Sequence, residues 1–160
     1  MDSFLNNKCE RIRTVKTQTM KTTKRFEESV AKLYEAFNTG KLNAFDCKAC
    51  AIGNMLGTGE YWAMNNISIG KLVGKYFMYS PPIHKDYTEE ELFNTEKVFL
   101  TEWEKENKLE SKYSDDKEIQ FNGLMAVLNY LAELDSIKSI EQQYNKFKTV
   151  IEREKVLTEN

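Results

Sequence analysis

Two cysteines, Cys47 and Cys50, are the residues of this sequence whose type and spacing could do chemistry. They lie three positions apart, and on an α-helix this spacing puts both sulfur atoms on one face. Near a helix N-terminus, the helix dipole and the neighbouring Lys48 would favour a thiolate. The pattern therefore fits either a redox pair or half of a zinc site.

A structural role is the third interpretation of these thiols. A zinc site needs four ligands, and the remaining candidates, Cys9 and His84, are far away in the sequence. A redox C-x-x-C normally follows a strand of a βαβ unit, and the sequence has no such pattern. Small residues around the pair, Ala49, Ala51 and Gly53, suit close helix packing, and cysteine is among the most buried residue types. We predict a mainly structural role with no metal and no cofactor, and we keep a thiol-dependent metal-binding or redox protein as the alternative.

Catalytic constellations are not evident elsewhere. His84 is the single histidine and follows Pro81-Pro82, which is typical of a solvated loop. One histidine without an orienting partner gives no recognisable general base. The carboxylates of Glu102, Glu104 and Glu106 are spaced to spread around a helix, as on a solvated face. The sequence therefore predicts that the protein is not an enzyme.

Length and composition favour one soluble domain. The chain has 160 residues, of which 41% are hydrophobic and 30% charged, with a net charge of −2. Such a chain can bury a sizeable core without disulfides or metals. An odd number of cysteines, no signal-peptide pattern and no run of ~20 apolar residues predict a cytoplasmic protein with reduced thiols and no membrane contact.

Charge is distributed unevenly along the chain. Residues 86–118 hold twelve carboxylates against five lysines, a net charge of −7. This acidic segment fits a solvated face, or a surface that mimics nucleic acid or docks a basic partner. Residues 1–25 carry a net charge of +5, from seven basic residues against Asp2 and Glu10. The basic residues are Lys8, Arg11, Arg13, Lys16, Lys21, Lys24 and Arg25.

The basic segment has two interpretations. It is either a frayed, solvated terminus or an arm that contacts the phosphates of a nucleic acid, RNA in particular. We assign residues 1–21 to this arm and residues 22–156 to a helical domain.

Hydrophobic periodicity predicts helices in the first half of the chain. A helix is expected over 22–38, because Phe26, Val30, Leu33 and Phe37 form one apolar stripe. A second is expected from a cap at Asn43 to Leu56, and a third over 69–77.

The second half contains clearer helix starts. Thr88-Glu-Glu-Glu91 and Ser139-Ile-Glu-Gln142 match the capping box, and Asp115 or Asp116 can cap a helix between them. Residues 108–117 are polar and are expected to form a loop. No strand pattern of useful length is present, so the prediction is an all-α, single compact domain of five to seven helices. Its predicted core contains Phe26, Val30, Leu33, Phe37, Leu100, Trp103, Leu124, Leu128, Leu131, Phe147 and Ile151.

Four segments together resemble a family of small proteins from Bacteroidetes genomes and their mobile elements. They are Cys47-Lys-Ala-Cys-Ala-Ile-Gly-Asn54 with Leu42-Asn43, Tyr87-Thr-Glu-Glu-Glu-Leu92 with Glu96-Lys-Val-Phe-Leu100, Phe121-Asn-Gly-Leu124, and Leu131-Ala-Glu-Leu-Asp135. The resemblance covers roughly residues 22–140. The family commonly carries the label of the Na(+)-translocating NADH-quinone reductase component that joins a ferredoxin domain to a flavin reductase domain. This chain lacks the C-x4-C-x2-C cluster motif and the nucleotide-binding fold that such a component needs, so the resemblance implies a shared domain and no mechanism.

These observations favour a non-enzymatic helical binding protein that modulates a macromolecular partner, either a protein or a ribonucleoprotein. By analogy with mobile-element proteins directed against host defence, one concrete version inhibits an RNA-guided CRISPR nuclease through the effector or its guide RNA. The alternative classes are the thiol-dependent protein centred on Cys47 and Cys50 and an oligomeric structural protein.

Overall fold

The computed structural model describes residues 21–46, 49–56 and 86–159. Within them the chain forms five α-helices and no strand, which confirms the predicted all-α fold. The helices are α1 (Lys24–Asn38), α2 (Ala51–Leu56), α3 (Glu89–Lys105), α4 (Lys117–Leu134) and α5 (Glu141–Glu159), with a 3-10 turn at Ser111–Tyr113 between α3 and α4.

Helix α1 follows its predicted apolar stripe closely. Thr23 caps it, because the Thr23 side chain accepts a hydrogen bond from the amide of Phe26. The stripe of α1 is buried against α2, α4 and α5. The ring of Phe147 on α5 packs between the rings of Tyr34 and Phe37, with centroids 5.3 Å and 5.9 Å away. These aromatic contacts fix α5 on the outside of α1.

Among the described helices, α3 and α4 form the most extensive pairing. The predicted capping box starts α3: Thr88 and Glu91 exchange side-chain and backbone hydrogen bonds. Asp116 caps α4 through the amide of Ile119. The two helices approach so closely that a Cβ at Gly123 would lie 2.7 Å from a ring carbon of Phe99.

One predicted helix start is wrong, and one predicted capping box is not formed. The helix expected from Asn43 begins only at Ala51, because the Asn43 side chain accepts from the amide of Phe45 and forms an Asx turn instead. The Ser139 side chain accepts from the amide of Glu141, two residues on, so the expected capping box with Gln142 is replaced by a local turn before α5.

The core agrees with the predicted stripes. Leu100 and Ile151 are only partly buried, since both lie at the edge of their helix faces. The helix expected over 69–77 lies outside the described residues. Among the described helices, none is both long and apolar enough to cross a membrane. Buried as predicted are Phe26, Val30, Leu33, Phe37, Trp103, Leu124, Leu128, Leu131 and Phe147.

Candidate functional site

The seven cations predicted to contact nucleic acid fall into three groups. Four of them, Lys8, Arg11, Arg13 and Lys16, lie outside the described residues. Lys21 and Lys24 are exposed immediately before and at the start of α1. The side chain of Lys24 is 90% exposed and its ammonium lies 3.8 Å from Glu28, so this pair contributes little and leaves the charge accessible.

Arg25, the last of the seven, is held by the fold. Its Nε lies 2.8 Å from Oδ1 and 3.1 Å from Oδ2 of Asp135, and its Nη2 donates to the same carboxylate. Its Nη1 donates to the carbonyl oxygen of Asp86 at 2.5 Å. The guanidinium also stacks over the ring of Tyr87, 4.7 Å from the centroid. Arg25 therefore donates its hydrogen bonds to groups of the protein itself, and the sequence pattern did not indicate these partners.

We call Thr23, Arg25, Tyr87 and Asp135 the Arg25 cluster. Thr23 caps α1, Tyr87 lies just ahead of α3, and Asp135 ends α4, so the cluster joins three helix ends. The Thr23 hydroxyl donates to the carboxylate of Asp135, which is 5% exposed. The Tyr87 hydroxyl is bonded to Ser29 at 3.0 Å.

Titration of the cluster reflects these bonds. The hydrogen bond from Arg25 holds the pKa of Asp135 below its usual range, with a further contribution from Thr23. The same bond raises the pKa of Arg25. Burial raises the pKa of Tyr87. The Asp135 carboxylate therefore stabilises the fold in its charged form.

Four carboxylates of the acidic segment pair with its own lysines. Lys105 lies 2.9 Å from Glu102, and Lys112 lies 3.2 Å from Glu110. Lys108 lies 3.6 Å from both Glu106 and Asp116. These pairs leave the net charge of the segment at −7, so a surface that mimics nucleic acid or docks a basic partner stays a prediction.

Cys50 is placed differently from the prediction. It is buried just before α2 and not on it, so the expected i, i+3 pair on one helix face is not formed in this way. Its Sγ accepts from the amide of Gly53 at 3.3 Å, and its thiol hydrogen-bonds to the carboxylate of Glu96. Cys47 lies outside the described residues, so the metal and redox interpretations stay untested. Within the described residues, no three His, Cys, Asp or Glu side chains gather as metal ligands.

Glu96 carries a buried carboxyl group that the sequence analysis did not single out. It is only 1% exposed, on α3, and its Oε2 accepts from the amide of Ile52 at 3.1 Å. No donor among the described residues reaches its Oε1. A signal was available, because Leu92, Glu96, Phe99 and Trp103 follow the i, i+4, i+7, i+11 spacing of an apolar stripe.

Burial is the main cause of the raised pKa of Glu96, which reaches about 7; the bonds from Ile52 and Cys50 oppose it. A carboxyl of this kind is often a sign of catalysis. Among the described residues it lies in the core and connects α3 to the start of α2.

A groove of about 280 Å³ lies between α4 and α5. The apolar side chains of Phe121 and Ile151 line it, and its charged lining is balanced: Glu118, Lys148, Glu152 and Lys155. The groove is shallow and brings no chemically reactive groups together.

Comparison of the chain with protein-family models, with curated proteins and with solved structures gives no match in any of the three. The family resemblance and its implications therefore stay predictions.

Proposed function

We propose that the protein is a non-enzymatic helical binding protein whose partner contains RNA. In this proposal the segment up to Lys24 contacts phosphates, and the helical body holds that segment in place. Arg25 holds the segment in place and does not contact phosphate, because its donors already bond to Asp135 and Asp86.

The observation that carries the proposal is the contrast between adjacent cations at one helix start. Lys21 and Lys24 are exposed, whereas Arg25 is tied to the interior. A cationic segment whose last residues are held by a folded domain loses less conformational freedom on binding than a free tail does. This supports phosphate contact over the frayed terminus.

Charge pairing in the body gives further support. Lys117 lies 3.5 Å from Glu154 and Lys155 lies 3.0 Å from Glu118, in addition to the pairs within the acidic segment. In the sequence, an excess of positive charge is concentrated in the arm, where Lys8, Arg11, Arg13, Lys16 and Lys21 outnumber Asp2 and Glu10. Phosphate contacts of this type supply affinity without sequence preference.

In its finer form, the proposal makes the partner a ribonucleoprotein, and specifically an RNA-guided CRISPR nuclease that the protein inhibits in the cytoplasm. This version is drawn by analogy with small mobile-element proteins that act against host defence.

Gel-shift titration with single-stranded RNA at two salt concentrations tests the coarser proposal. We expect micromolar or weaker affinity at physiological salt, with a salt slope that falls by about 0.7–0.9 for each phosphate contact removed. The arm variant replaces Lys8, Arg11, Arg13, Lys16, Lys21 and Lys24 with Gln and should abolish binding. The matched control replaces six exposed lysines of the body, with the same change in charge: Lys97, Lys105, Lys112, Lys138, Lys148 and Lys155.

Equal loss in both variants would mean that net charge, and not the arm, drives binding. If the RNA shows no gel shift at low salt, the RNA-binding proposal is excluded and a protein becomes the favoured partner. For the finer proposal, a guide-loaded CRISPR nuclease should cleave its target more slowly when the unmodified protein is added, and at its normal rate when the arm variant is added.

A further inference from the structure

The Arg25 cluster holds the residues at which the basic segment meets the helical body. Both oxygens of the Asp135 carboxylate are engaged, by the fork of Arg25 and by the hydroxyl of Thr23. Since Thr23 caps α1 and lies between Lys21 and Lys24, this one carboxylate fixes the backbone on which both exposed lysines stand.

We infer that Asp135 is a positioning residue for RNA binding, which it serves without touching RNA. The inference rests on the proposed function and adds to it. Bidentate pairing with a guanidinium restrains both partners more than a single bond does. Holding the first turn of α1 in one orientation lowers the ordering cost when Lys21 and Lys24 meet phosphate.

The inference predicts a change in RNA affinity opposite in direction to the one that net charge alone predicts. Removing a carboxylate makes the net charge of this protein, which is −2, less negative and should tighten RNA binding. Asp135→Asn should instead weaken it by roughly threefold to tenfold, because the lost restraint outweighs the gained charge. Glu133→Gln is the matched control: it makes the same change in charge on an exposed residue of the same helix, and should leave binding equal or slightly tighter.

Hydrogen exchange supplies a readout independent of RNA. Amides of residues 26–28, the first of α1 with hydrogen-bond partners, should exchange about tenfold faster in Asp135→Asn, while those in the middle of α4 keep their protection. Asp135→Glu retains the charge and should restore part of both the protection and the affinity. If Asp135→Asn does not fold, Thr23→Val removes both one donor to the same carboxylate and the N-cap of α1, with no change in charge, and should weaken RNA binding in the same direction.

Gel shifts of these variants with a single-stranded RNA probe, at one low salt concentration, decide the matter. Weaker binding by Asp135→Asn or Thr23→Val than by Glu133→Gln supports the inference. Binding by Asp135→Asn as tight as by Glu133→Gln overturns it while leaving the proposed function in place. Absence of RNA binding by the unmodified protein removes the proposed function, and the inference falls with it.

Discussion

The backbone amide of Ile52 donates a hydrogen bond to Oε2 of Glu96 at 3.1 Å, so a buried carboxyl on α3 anchors the start of α2. The thiol of Cys50 bonds to the same carboxylate. These two bonds favour the charged form, but burial dominates and raises the pKa of Glu96 to about 7. The carboxyl group of Glu96 therefore changes from neutral to charged near neutral pH.

Stability should fall as the pH rises through the range in which Glu96 loses its proton. The pKa of about 7 in the folded protein is above the ordinary value of 4.5, so between these values the folded state binds the extra proton. The group's stabilisation is complete below the ordinary pKa and is lost as the pH rises through about 7. The difference corresponds to about 3 kcal/mol in the free energy of unfolding.

Glu96→Gln should remove this pH dependence. The amide oxygen of the new side chain can still accept from Ile52, and this side chain carries no charge. Relative to the unmodified protein, the variant should therefore gain roughly 2–3 kcal/mol in the free energy of unfolding between about pH 5 and about pH 9. Urea unfolding at the two pH values measures the change. Glu104→Gln, an exposed carboxylate on the same helix, should keep the original profile. A profile of Glu96→Gln that matches the unmodified protein would contradict the assignment.

Substitution of Cys50 should change the pKa of Glu96 according to whether a donor remains. Cys50→Ala loses a bond that stabilises the carboxylate, so the pKa of Glu96 should rise further, while Cys50→Ser keeps a hydroxyl donor and should leave it equal or lower. NMR titration of the Glu96 carboxyl carbon measures both. A pKa of Glu96 that is the same in the two variants would exclude the thiol bond.

The structural role predicted for the thiols has its own test. Protein prepared without chelators should contain less than one equivalent of metal, and a Cys47→Ser/Cys50→Ser double variant should keep RNA binding. Stoichiometric zinc, or lost binding in a double variant that still folds, would favour the thiol-dependent alternative.

Leu128→Ala should destabilise the protein by about 2–5 kcal/mol, because Leu128 is fully buried in the centre of α4 and the change leaves a cavity. Thermal or urea unfolding measures the loss. Asn129→Ala, at the exposed neighbouring position, should change the free energy of unfolding by no more than about 0.5 kcal/mol. A loss below about 1 kcal/mol for Leu128→Ala would place the wrong face of α4 in the core.

Gly123→Ala tests the close approach of α3 and α4. The new methyl group would lie 2.7 Å from a ring carbon of Phe99 and 2.9 Å from its carbonyl oxygen, and backbone cannot move aside as a side chain can. We expect a loss of about 1–3 kcal/mol, although alanine is the better helix former. Asn122→Ala, exposed on the same helix, should be neutral or slightly stabilising. A stabilised Gly123→Ala variant would mean that the helices separate more easily than their contact implies.

Helix starts and stripes were predictable where the signal is local. Thr88 and Glu91 bond across three residues, as do Asp116 and Ile119, so their side chains and their partners appear together in the sequence. Asn43 shows the limit of such reasoning, because the same side chain can cap a helix or close an Asx turn, and its surroundings decide.

The candidate site depended on contacts that no local pattern reveals. Arg25 looked like one more cation in a basic run, but its carboxylate partner lies 110 residues later in the chain. Glu96 looked like a surface charge, but an amide 44 residues earlier makes its burial tolerable. In both cases the long-range partner, and not the residue type, decides the role.

The separation of Arg25 and Asp135 also has a consequence for biosynthesis. Arg25 is synthesised 110 residues before the carboxylate that anchors it. Helices α3 and α4, which are neighbours in sequence and pack most extensively, can pair as soon as both have left the ribosome, because short chain separations close fastest. The start of α1 must wait for the end of α4, so on the nascent chain Arg25 lacks this carboxylate partner until Asp135 has left the ribosome.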